Sequence, residues 1–121
     1  AIISRHPIAE AIGELGAAIE PVGGKRFYVF NVHYYHSPYQ PYQLLRIPYD
    51  DAPFIETADE AVAEARRTRG QESDRLVAAL TPLRNESAAI FVTGDFNEPS
   101  HLDWTARAAD RGHVPVAVRW P

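Results

Sequence analysis

The stretch Ser87-Ala88-Ala89-Ile90-Phe91-Val92-Thr93-Gly94-Asp95-Phe96-Asn97-Glu98-Pro99-Ser100 constrains this chain more than any other. From Ala88 to Val92 it is apolar at every position, the pattern of a strand covered on both faces. Gly94 permits a sharp exit, and Asp95 and Asn97 then fall to one side if the chain stays extended. Ligand sites in open α/β sheets lie outside the carboxyl ends of strands, so a polar pair there is a site candidate. Taken in isolation, Asp and Asn after Gly also make an ordinary turn.

Upstream, Gly16 to Val22 has the character of a strand, and Gly23-Gly24-Lys25 is a hairpin signal into a second strand from Arg26 to His33. Along that strand Phe27, Val29, Asn31 and His33 share one face, while Tyr28, Phe30 and Val32 share the other. Both faces are largely apolar, which places the strand in the interior of a sheet. Ala1 to Ser4 is expected to be the end of an earlier strand, closed by Pro7, with Arg5 and His6 following it.

From Tyr34 to Glu56, Pro38, Pro41, Pro48 and Pro53 stand among Tyr34, Tyr35, Tyr39, Tyr42 and Tyr49, so a long surface loop without helix or central strand is expected. Its rings either wall a pocket for a base, sugar or lipid head group, or pack over a sheet edge. Thr57-Ala58-Asp59-Glu60 has the form of a capping box and starts a helix. Val62, Ala65, Leu76, Ala79, Leu80 and Leu83 supply its apolar stripe, Gly70 marks a kink or break, and Pro82 ends it. Arg66, Arg67, Arg69 and Arg75 alternate with Glu64, Glu72 and Asp74 and read as a solvated face. Ser100-His101-Leu102-Asp103 repeats the capping pattern before a short helix to Ala109. Trp104 is expected in the core, and His113 to Trp120 as a loop.

At 121 residues the chain is one domain with room for a core, and its 45% hydrophobic and 23% charged residues are ordinary for a globular protein. The absence of cysteine excludes disulfides and thiolate metal sites while leaving the compartment open. No apolar run reaches the roughly 20 residues of a membrane span. A formal charge of -4 argues against a broad surface that tracks nucleic-acid phosphates; small or isolated phosphate esters fit better.

The Gly94-Asp95-Phe96-Asn97 run resembles the signature of the endonuclease/exonuclease/phosphatase superfamily, the DNase I-like metal-dependent phosphoesterases. Ile2-Ile3-Ser4-Arg5-His6-Pro7-Ile8 and Phe27-Tyr28-Val29-Phe30-Asn31-Val32-His33 resemble two further family strands, in the family's order. The resemblance implies a four-layer α/β sandwich of two mixed sheets flanked by helices, of which this chain holds about half. It implies hydrolysis of phosphate esters with Mg2+ or Mn2+. By motif, Asp95 orients or deprotonates the attacking water or ligates the metal. Asn97 holds the water, phosphate or metal through its amide, and His33 hydrogen-bonds a phosphate oxygen. Asn31 and Arg5 become candidate substrate contacts.

An early Asn strand, a metal-ligating Glu and a closing Asp-His motif, all part of the family pattern, have no counterpart here. The chain, which begins at Ala1 inside a family motif, is therefore expected to be an internal portion of the domain. A complementary polypeptide segment or self-association is then expected to cover its sheet. The alternative is a catalytically incomplete domain that binds a phosphorylated ligand or a partner chain.

Overall fold

The computed structural model describes residues 1–121 and shows a mixed α/β fold. Its strands are β1 (Ile8–Ile12), β2 (Gly16–Ile19), β3 (Phe27–His33) and β4 (Ala89–Asp95); its helices are α1 (Gln40–Leu44), α2 (Ala58–Leu80) and α3 (Ala106–Asp110). Two compact bodies are distinguished: Ala1–His33 with Glu72–Asp95, and Tyr34–Gln71 with Phe96–Pro121.

The first body carries one four-stranded sheet in the order β1-β2-β3-β4. β1 with β2 and β2 with β3 are antiparallel, while β3 and β4 are parallel. Between β2 and β3 the chain reverses where the Gly24 N–H donates to the Pro21 carbonyl at 3.0 Å. At Gly16 a Cβ would lie 2.6 Å from the Phe30 ring, so the smallest residue is what lets that ring become fully buried. Tyr28, Phe30 and Val32 are buried and Asn31 and His33 exposed, the two-residue alternation expected of β3.

Two expectations for this body need correction. Ala1–Ser4 forms no strand. The chain bends at Arg5 and His6, where Ser4 Oγ accepts from the His6 N–H at 3.0 Å, and antiparallel pairing starts only after Pro7, whose carbonyl accepts from the Glu20 N–H. β4 is not covered on both faces: it is an edge strand, with Ile90 and Val92 half-buried and Phe91 52% exposed on the opposite face.

In the second body the capping box forms as written in the sequence. Thr57 Oγ1 accepts from the Glu60 N–H at 3.2 Å, and Glu60 Oε2 accepts from the Thr57 N–H at 2.9 Å. α2 is unbroken at Gly70; its residues from Glu72 to Leu80, and the 3-10 turn Thr81–Asn85 that holds Pro82, are counted with the first body. Ala61 and Ala65 pack in a core with Leu44, Trp104, Val118 and Trp120. The two tryptophans meet edge to face at 5.5 Å, and the Val118 N–H donates to the Trp104 carbonyl, which ties the last segment down.

The Pro- and Tyr-rich segment is not wholly irregular, because α1 places Pro41 in its first turn, where a missing N–H costs nothing. The Ser100–Asp103 pattern closes a turn rather than opening a helix: Asp103 Oδ2 accepts from the Ser100 N–H, and the helix waits for Thr105, whose Oγ1 accepts from the Ala108 N–H.

Candidate functional site

The parallel pairing of β3 and β4 sets Asn31 opposite Thr93, Val32 opposite Gly94 and His33 opposite Asp95. Neighbouring strands run about 4.8 Å apart, and residues directly opposite share a face. His33 and Asp95 therefore leave the carboxyl ends of adjacent strands side by side, both exposed. Asn31 and Thr93 lie one step back on the same face, where Thr93 Oγ1 donates to the Phe30 carbonyl at 3.0 Å.

Gly94 makes this register attainable. Its φ is +130°, and a Cβ there would stand 1.9 Å from the Val32 carbonyl oxygen. The glycine serves a close backbone approach within the pair, because β4 runs on through Asp95 instead of leaving the sheet at Gly94.

The remaining candidates separate. Arg5 is exposed at the bend before β1. Asn31 also borders a cavity of about 240 Å3 with Ile2, Leu15 and Gly16 among its walls. Asn97 belongs to the second body and does not continue the alternation of β4. Its φ of +46° is left-handed, and its Nδ2 donates to the Tyr34 carbonyl at 2.8 Å. The nitrogen of the amide that is expected to hold water, phosphate or metal is thus engaged with the backbone.

No group of three or more His, Asp or Glu side chains is arranged to hold a metal ion. Of the residues that end β3 and β4, only Asp95 carries a carboxylate. A hard cation takes six or more oxygen ligands and keeps several as waters, so this donor set is a partial one.

One pair of charged residues was hidden in the sequence. Arg69, grouped there with solvated arginines, is 2% exposed, and its Nε donates to Glu98 Oε2 at 2.5 Å. Its Nη1 donates to the carbonyls of Tyr35 and Pro38, and its Nη2 to Gln40 Oε1. Burial pushes the Glu98 carboxyl up from its usual range, and the adjacent guanidinium opposes that shift. Burial likewise raises Tyr39, with the Glu98 charge adding to it. The signal for Arg69 was its spacing: it follows Ala61 and Ala65 at steps of four, on the buried stripe of α2.

No family model and no solved structure matches the chain. Among curated proteins, an uncharacterized protein of Caenorhabditis elegans is similar, 27% identical over 131 residues. The match takes in all of this chain and 39% of the worm protein, so the chain spans well under half the length of that relative.

Proposed function

We propose that this chain is part of a metal-dependent phosphate-ester hydrolase whose reacting centre gathers at the carboxyl ends of β3 and β4. The observation that carries the reading is the register of His33 with Asp95, an imidazole ring and a carboxylate on one exposed face. Attack on phosphorus needs an aligned water, removal of its proton and relief of charge on the non-bridging oxygens. Asp95 orients or deprotonates the water and His33 donates to a phosphate oxygen. Asn31, one step back on that face, and Arg5 contact the substrate.

Asn97 contributes through its side-chain carbonyl, since the amide nitrogen is committed to Tyr34. Mg2+ or Mn2+ belongs to this reading; Asp95 is the carboxylate the first body would offer it, and water and carboxylates supplied elsewhere would complete its ligands. When bound, the ion supplies electrostatic stabilisation of the phosphoryl oxygens. The sheet of the first body is then one layer of a four-layer sandwich, completed by a further polypeptide segment or by another copy. The partial donor set favours a second reading, a domain that binds a phosphorylated ligand without turning it over.

A titration of the full-length protein with inorganic phosphate, in the presence of Mg2+, tests the site. Perturbed NMR signals concentrated at His33 and Asp95 are expected; signals that move only elsewhere, or not at all, refute it.

A further inference from the structure

The guanidinium of Arg69 closes a circuit of contacts inside the second body. It holds Glu98, the residue after Asn97, and it holds the carbonyl of Tyr35, the residue after Tyr34. Asn97 in turn donates to the carbonyl of Tyr34. Two segments far apart in sequence are thereby locked to each other twice, once through Asn97 itself and once through Arg69.

The circuit is over-determined. Gln40, fully buried, accepts from Arg69 and passes its own Nε2 hydrogen to the Pro38 carbonyl at 2.9 Å, the same oxygen that Arg69 Nη1 reaches at 3.1 Å. Four acceptors around one planar fork fix its orientation. A lysine, with a single ammonium on a flexible stem, cannot serve them together. A buried arginine is costly to desolvate, and α2 could have placed another alanine at this step of its stripe.

We infer that Arg69 is a positioning residue for Asn97: through Glu98, the Tyr35 and Pro38 carbonyls and Gln40 Oε1 it holds the Asn97 side chain in the one orientation that the hydrolytic reading uses. The inference rests on that reading for its purpose, and on the contacts alone for its mechanics.

Removing one charge would leave the other buried and risks unfolding, so the variant of choice is R69M with E98Q, which removes both charges and keeps the volume. Two readouts are taken on the full-length protein. The first is hydrogen exchange of the Asn97 side-chain amide and the neighbouring backbone, with β2 and β3 as internal reference. The expected result is exchange about tenfold faster at Asn97 and unchanged in the sheet.

The second is turnover of bis-p-nitrophenyl phosphate with Mn2+, per folded molecule. The expected result is kcat lower by roughly 10- to 100-fold, with KM within about threefold. R69K, which keeps the charge and loses the fork, is expected to behave like the double variant in both. Unchanged protection of Asn97 overturns the inference, whatever the turnover. Faster exchange with unchanged kcat also overturns it, by showing that the Asn97 orientation does not matter to the reaction. A wild-type protein that hydrolyses no phosphate ester defeats the reading in the preceding subsection, and the exchange arm still decides whether Arg69 positions Asn97.

Discussion

At Gly94 a single hydrogen atom decides whether β3 and β4 can pair to their ends. A methyl group there would overlap the Val32 carbonyl, and the φ of +130° is itself one that only glycine adopts readily. Gly94→Ala is expected to destabilise the protein by more than about 3 kcal/mol in urea denaturation, the signature of a clash with backbone rather than with a movable side chain. The sequence marked Gly94 as special but for another purpose, an exit from the sheet. Close approach depends on a neighbouring strand, which no local pattern reveals. Asn97 and Arg69 were misread for the same kind of reason: one because extended backbone was assumed where a left-handed residue stands, the other because arginines among glutamates usually face water.

Elements whose signals are local were legible. The Thr57–Glu60 capping box, the β2–β3 hairpin and the alternation along β3 all follow from spacing within a few residues. β1 and α1 were missed. A five-residue strand and a one-turn helix carry little periodicity, and prolines near both masked what there was.

The capping box makes its own pH prediction. Hydrogen bonds from the Glu56 N–H and from Thr57 hold the Glu60 carboxyl below its usual range. A depressed acid stabilises the fold above its unfolded value, and that contribution disappears as pH falls through the folded one. Wild type is therefore expected to exceed Glu60→Gln in melting temperature at neutral pH, with the gap closing in acid; a gap that widens in acid contradicts the assignment. In the same body, Trp104→Ala is expected to cost about 3–5 kcal/mol, because it strips the ring that Trp120 packs against. Equilibrium unfolding measures it directly.

For the molecule as a whole, what the sequence conveyed was a mixed α/β chain with an apolar strand delivered to a polar end. Its register and its exposure needed three-dimensional contacts. β4 presents an uncharged edge from Ser87 to Gly94, with Phe91 more than half exposed beside it, and neither lysine nor proline interrupts the edge. The 121-residue chain is therefore expected to self-associate as its concentration rises, by light scattering. Phe91→Lys is expected to reduce that association with little change in melting temperature. A monodisperse monomer for wild type at all concentrations would show that this edge needs no cover.

The central claim, a hydrolytic centre at the ends of β3 and β4, stands or falls most directly on one assay: hydrolysis of bis-p-nitrophenyl phosphate with Mn2+ by the full-length protein, wild type against Asp95→Ala. The account predicts a loss of at least about 100-fold in kcat/KM with a melting temperature within a few degrees of wild type, as for a residue that acts on the reacting atoms and not on the fold. Turnover within about threefold of wild type would remove Asp95 from the mechanism and contradict the account.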